Sequence, residues 1–321
     1  MMFSKIYGQK NALDMLRRSV SADRVAHAYV FFGPEGVGKR KAALAFAAAL
    51  NCERYEDSNE ACGGCEPCRA SFAGANMNII NIAPEDKTLK ADEIRDLQRA
   101  LRYKAETGRV VAIVDAAETM QKSAANVFLK TLEEPPGNAV IILVSSKLYS
   151  MLPTILSRCQ RVAFSALKAS EMAPIVEKTC GVSSEDALAA ARLGNGSVSR
   201  SIRMIEDGMI ERRREFFEKF ASARGSVLAL IGFAENLAKD ESLTEMLEFL
   251  KSRLRDLAVT AAGCPELAAE GLTASSVNTQ DAYAKAFFEV EHSLGRISVP
   301  YYDNAQLAME ALLARMAGRA G

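Results

Sequence analysis

The segment "HAYVFFGPEGVGK", His27 to Lys39, constrains the fold of this chain more than any other. A loop of the form GxxxxGK works between a buried strand and a helix. There its backbone N–H groups and the helix N-terminus converge on phosphate oxygens while the Lys adds a point charge. Gly33, Gly36, Gly38 and Lys39 fit that geometry, with an apolar run before them and the Ala-rich helical pattern "KRKAALAFAAAL" after them. The next residue breaks the pattern. Loops of this kind continue with a Ser or Thr whose hydroxyl holds Mg²⁺, whereas this chain has Arg40, a permanent cation that cannot coordinate another.

The rest of the first half reads as an α/β protein. β-Branched runs at 28–32, 79–82, 110–114, 139–144 and 161–164 predict strands. Apolar residues recur at helical spacing over 39–50, 91–104 and 124–134, the last stopped by Pro135-Pro136. Continuously apolar strands predict a parallel sheet covered by helices on both faces. Beyond Phe164 helical patterns take over. The expected fold class is therefore α/β followed by all-α: a P-loop domain over 1–164, a small helical piece over 165–208 and a larger helical domain over 209–321. Lys plus Arg and Asp plus Glu both total 40, so the whole chain has no net attraction for a polyanion. No apolar run approaches the ~20 residues that span a bilayer. The start "MMFSKIYGQK" lacks a signal-peptide core. Seven unevenly spaced cysteines do not suggest a disulfide framework, and a soluble protein of a reducing cytoplasm is expected.

Two groups carry further chemistry. In hydrolysing P-loop enzymes of the additional-strand type, an apolar strand ends in Asp-Glu, the Asp supporting Mg²⁺ and the Glu polarising the attacking water. Here "VVAIVDAAETM" supplies Asp115 followed by Ala116, and Glu118 is expected to point elsewhere from the following helix. Asp115 could equally cap that helix. The two replacements predict negligible ATP hydrolysis, with ADP or ATP held weakly or not at all. The second group lies in "NCERYEDSNEACGGCEPCRA", where Cys52, Cys62, Cys65 and Cys68 form a C-x9-C-x2-C-x2-C pattern. Four soft thiolates closely spaced around a Gly-Gly turn suit a closed, tetrahedral, structural Zn²⁺. A redox CxxC pair and an iron–sulfur cluster are the alternatives. Cys159, Cys180 and Cys264 are expected to be small apolar residues.

"HAYVFFGPEGVGK", the four-cysteine insert, "NVFLKTLEEPP" at Asn126 to Pro136 and "LPTILSRCQ" at Leu152 to Gln160 follow one another in that order. Together they resemble the bacterial clamp-loader family, AAA+ subunits of the DNA polymerase III holoenzyme, over roughly Phe3 to Asp207. Active gamma/tau members have Lys-Thr in the loop and Asp-Glu at the strand end. This chain is more similar to the delta prime branch, with "DAA" at Asp115 to Ala117 and "GSVSRSI" at Gly196 to Ile202. In that last motif Ser201 departs from the usual Ala, and Ser199 stands where active members place a sensing Arg, one residue before Arg200. The resemblance implies an AAA+ sheet with a zinc insert, a helical lid over 165–208 and a collar over 209–321 that joins a five-subunit ring. It further implies gamma/tau and delta partners, and the sliding clamp and primed DNA reached through the ring. Ser157 and Arg158 of "SRC" would present an arginine finger in trans to a neighbour's ATP.

Three other readings compete. An autonomous gamma/tau-type ATPase predicts a hydroxyl after Lys39 and a Glu after Asp115, and the sequence has neither. A P-loop nucleotide kinase leaves the cysteines, "LEEPP" and "SRC" without a role. A zinc-bearing interaction protein differs in giving Arg158 no nucleotide to act on. Arg95, Arg99 and Arg102 at helical spacing could meet DNA phosphates, but read better as a solvated face, and Arg212 to Arg214 as the exposed start of a helix. His27 and His292 have no catalytic partner in view.

Overall fold

A computed structural model of the chain describes residues 2–55, 60–84, 86, 88–102, 107–223, 226–240, 242–264, 268, 280–297 and 305–317. The expected helix end at Lys104 lies outside these residues. Two compact units emerge, the first over 1–176 and 194–200, the second over 177–193 and 201–321. The segment 165–208 is thus divided between them.

In the first unit a short turn at Phe3–Lys5 leads into α1 (Lys10–Ser21), β1 (Ala28–Phe32), α2 (Lys39–Leu50), α3 (Glu66–Ala73), β2 (Ile79–Ile82), α4 (Ala91–Ala100), β3 (Val111–Val114), α5 (Lys122–Glu133), β4 (Val140–Ser145), α6 (Pro153–Leu156) and β5 (Gln160–Ala163). The strands form one parallel sheet in the order β2-β3-β4-β1-β5. In register, Val30 faces Leu143 and Ile113 faces Ile142. Strand β4 is wedged between β1, which feeds the glycine loop, and β3, which ends at Asp115. One additional strand thus separates the strand that feeds the loop from the strand that ends in the acid. Because side chains alternate across a strand, Tyr29, Phe31, Ile113 and Ile142 pack on one face with Leu13 and Leu16 of α1 and Phe46 of α2. Val30, Ala112, Val114 and Leu143 pack on the other with Ile94 and Leu97 of α4 and Phe128 of α5. Burial on both faces explains the unbroken apolar runs.

The second unit is helical: α8 (Ser184–Leu193), α10 (Met209–Ala223), α11 (Val227–Ala238), α12 (Leu243–Ala261), α13 (Gln280–Ile297) and α14 (Ala305–Ala317), with α7 (Ala169–Cys180) and α9 (Val198–Glu206) each shared with the first. Its core includes Leu247, Leu250, Val290, Met309 and Leu312. Arg212 and Arg214 are exposed as expected, but Arg213 is half-buried, its guanidinium 5.0 Å from the Phe217 ring centre. The cation–π contact draws it in. Arg95 and Arg99 pair with Asp92 and Asp96 one turn earlier on α4, as a solvated face would. No helix among the described residues is long and apolar enough to cross a membrane.

Candidate functional site

The loop between β1 and α2 turns on its glycines. Gly33, Gly36 and Gly38 adopt φ of +146°, +75° and +99°, a region that side-chain-bearing residues rarely enter. Space is as strict as backbone angle. A Cβ on Gly33 would lie 2.0 Å from the Phe164 carbonyl oxygen, and one on Gly36 would lie 2.2 Å and 2.1 Å from the Ser197 and Ser199 hydroxyls. Gly33→Ala should therefore destabilise the first unit by more than about 1 kcal/mol, since its native angle and the Phe164 backbone just past β5 both oppose a side chain. Thermal unfolding measures this, and an unchanged midpoint would show that the loop can relax. Buried Gln9, which the sequence did not single out, holds the segment after β5 beside the loop: its Nε2 donates to Ser165 O at 2.8 Å and, at 3.5 Å, to Val37 O of the loop, and its Oε1 accepts from Ser165 N at 3.0 Å.

Lys39 opens α2 and folds back over the loop, Nζ donating to Gly33 O at 2.7 Å and Pro34 O at 2.6 Å. Burial pushes its ammonium pKa down, against the opposing charges of Glu118, Asp115 and Glu35. Arg40 points to the end of β3, where its Nε lies 3.5 Å from Asp115 Oδ2. The other oxygen, Oδ1, accepts from the adjacent Ala116 N at 3.0 Å. The turn that follows is capped by Ala116 with no side-chain bond, so Asp115 is not its cap. Mg²⁺, which P-loop enzymes hold between a hydroxyl after the Lys and an acidic strand end, does not fit these residues. Residue 40 offers no oxygen, and the carboxylate faces a guanidinium instead.

Glu118 departs from expectation. Rather than pointing away from a following helix, it sits in a 3-10 turn, Ala117–Thr119, that folds it back onto the end of β4. There its Oε1 accepts from Ser146 N at 3.0 Å and Ser146 Oγ at 2.5 Å. Burial alone would raise its pKa, but these bonds outweigh it and hold the carboxyl below its ordinary range. Its charge is foremost among those favouring protonated Lys39. Ser146 and Glu118 were missed as neighbours. The only signal was two serines closing the apolar run "VIILVSS".

On the far side of α2, Cys52 follows the helix, Cys65 caps the start of α3 and Cys68 lies within it. The four sulfurs of Cys52, Cys62, Cys65 and Cys68 all fall within 4.8 Å of one another. A tetrahedron of ~2.3 Å Zn–S bonds has edges of roughly 3.8 Å, so one ion fits this set. Cys62 N and Cys65 N donate to the sulfurs of Cys52 and Cys62 at 3.3 Å and 3.4 Å. Amides from Gly64 and Cys65 bring the Cys62 thiol down to about 6, while burial pushes Cys52 and Cys68 up. Ala48 of α2 packs into the same cluster as Cys65 and Cys68. Buried Cys159 belongs instead to the core beneath the sheet, as its sequence reading as a small apolar residue requires.

Arg158 lies just past α6, whose C-cap is Ser157. Its Nη2 donates to Glu133 Oε1 at 2.8 Å, and its Nη1 donates to Thr154 O at 3.0 Å and Ser157 Oγ at 3.3 Å. The side chain remains 37% exposed. Near the glycine loop, Ser199 rather than Arg200 presents its side chain, and Arg200 is exposed.

A family model described as "DNA polymerase III, delta subunit" matches residues 8–168, half of the chain. DNA polymerase III subunit delta' of Pseudomonas aeruginosa is 41% identical over 141 residues, 43% of this chain and 43% of that protein. The tau subunit of Bacillus subtilis is 35% identical over 164 residues, 50% of this chain and 29% of that one. The delta' subunit of the same organism is 32% identical over 161 residues, 50% and 48%. The match thus spans less than half the length of each of these relatives.

Proposed function

The chain belongs to the DNA polymerase III delta-subunit family, in its clamp-loader delta' type, and from that premise we propose that it is a non-hydrolysing member of a replicative clamp-loading ring. In this reading the neighbours are gamma/tau and delta subunits, the ring sets a sliding clamp on primed DNA, and Arg158 with Ser157 serves the ATP of an adjacent subunit. Work in the cytoplasm keeps the four cysteines reduced to hold a structural Zn²⁺, which supplies a cross-link and no chemistry. The helical unit beyond Met209 acts as the collar, and the segment 165–208 as the lid.

One observation carries the reading: Arg40 occupies the place of the Mg²⁺-binding hydroxyl and pairs with Asp115, and Ala116 stands where a water-polarising Glu is needed. Phosphoryl transfer from ATP depends on a metal bridging the phosphates and on an oriented water. Neither is supported here. Lys39 and the loop amides remain, so ADP or ATP would be held weakly at most.

The tau match gives the rival, an active gamma/tau-type ATPase, its support. The two separate on a simple measurement. The isolated chain should turn over ATP at background, while mixing it with gamma/tau and delta partners from the same source should give a stable complex whose ATPase responds to clamp and primed DNA. Robust turnover by the isolated chain that disappears in Lys39→Ala would restore the rival. Failure to join the complex would refute the proposal.

A further inference from the structure

The ends of α5 and α6 meet at Arg158. Helix α5 stops at Glu133 because Glu134 precedes Pro135-Pro136, which disfavour helical geometry at that residue. Glu133 therefore rides the last turn of a helix whose Phe128 and Leu132 are locked in the core. From there its Oε1 receives Arg158 Nη2, while Thr154 O and Ser157 Oγ receive Nη1 from the α6 side. A guanidinium has five N–H donors. These bonds engage three among the described residues, leaving the second N–H of Nη2 and the Nε–H.

We infer that Glu133 is a positioning residue that pins the Arg158 fork in one orientation, with two donors left over for phosphoryl oxygens of a nucleotide held by a neighbouring subunit. The inference rests on the role proposed for Arg158 and accounts for the "LEEPP" stretch, whose prolines end the helix where its carboxylate meets the arginine. An arginine already held by three bonds loses less freedom on meeting a phosphate than one that is free, and a group pre-set for the transition state speeds the chemical step rather than tightening ground-state binding. Glu133 and Arg158 are half-exposed, and exposed pairs of this kind add little to stability. Their coupling should show in rate, not in folding.

The test uses complexes reconstituted with gamma/tau and delta partners, with ATPase stimulated by clamp and primed DNA followed against ATP concentration. Glu133→Ala should lower kcat by about threefold and leave KM within about twofold, as loss of a pre-set orientation predicts. Glu133→Asp, which keeps the charge, should recover part of the loss, and adding Glu133→Ala to Arg158→Ala should slow the complex no further. A Glu133→Ala complex as fast as wild type or faster, alongside a slow Arg158→Ala complex, overturns the positioning role while leaving the finger intact. A loss confined to KM, no recovery by Asp, or failure of the Glu133→Ala complex to assemble overturns it too. An Arg158→Ala complex at the wild-type rate removes the reading on which it rests.

Discussion

Protein purified without chelators should carry close to one Zn²⁺ per chain, and Cys65→Ser should lower that content and loosen residues 52–74 while sparing the sheet. Structural zinc in small peptides is bound by ~10–16 kcal/mol near neutral pH, larger than other single contacts available to a segment this short. Among the described residues of the insert, Tyr55 packs into the main core and donates to Arg17 O at 3.2 Å, and Glu60 accepts from Ser4 N at 2.7 Å. The insert's own buried cluster consists of Ala48, Ala61, Cys65 and Cys68, with Cys52 and Cys62 packed against them. Without the ion, that leaves those two anchors and a few small side chains to offset the chain entropy of folding the insert. The sheet has its own cores on both faces, and α2 keeps Phe46 and Ala42 in one of them. Limited proteolysis should thus cut within the insert of the Cys65→Ser protein, while its far-UV circular dichroism changes little. Elemental analysis finding no zinc, or a coloured iron cluster in its place, sinks the assignment. A variant that loses the whole sheet would show the insert to be part of the folding core rather than a cross-linked addition.

Arg158→Ala should leave folding and complex assembly intact and slow clamp loading by about tenfold or more. Arginine fingers supplied in trans are worth ~10³–10⁵ in the best-studied GTPases, and a smaller loss is expected in a ring whose other sites also hydrolyse. Arginine suits this role because its planar fork is charged at all relevant pH and presents two parallel N–H donors in a fixed bidentate geometry, which the single ammonium of Lys does not. Arg158→Lys should consequently restore little. The intramolecular ion pair with Glu133 does not argue against a finger, since a half-exposed carboxylate contact is weak enough to coexist with a phosphate. Clamp-loading kinetics with the reconstituted complex decide. A wild-type rate in Arg158→Ala would reduce the arginine to a local partner of Glu133 and the chain to a scaffold.

Much of the first unit was legible in the sequence because the relevant signals are local. The strand over Ala28–Phe32 and the strand over Ile79–Ile82 fall where β-branched and aromatic runs end, at Gly33 and at Ala83-Pro84, and α2 begins at Lys39 where the glycine loop must end. The other three strands shift by about one residue, since flanking residues such as Val110 and Phe164 are as apolar as the strands themselves. The four cysteines were equally plain, because three of the four lie within seven residues and their spacing already limits how far apart the sulfurs can stand.

What the chain order alone determined is the inventory: a glycine loop, a cation after its lysine, an acid at a strand end, four thiols and an arginine before a strand. Tertiary structure decided which of these meet. Arg40 reaches Asp115 because the parallel sheet brings the end of β3 and the start of α2 to the same edge. Glu118 returns to the site because the positive φ of Ala116, +47°, turns the backbone at the strand end and β4 offers Ser146 to hold the carboxylate. Ser197 and Ser199 come against Gly36, and Glu133 against Arg158, across separations that no periodicity records. Periodicity reports which face of an element seeks the core, an effect of neighbouring residues. Hydrogen bonds between polar side chains remote in sequence form only after apolar burial has placed their strands and helices, so they appear in the fold and not in the pattern.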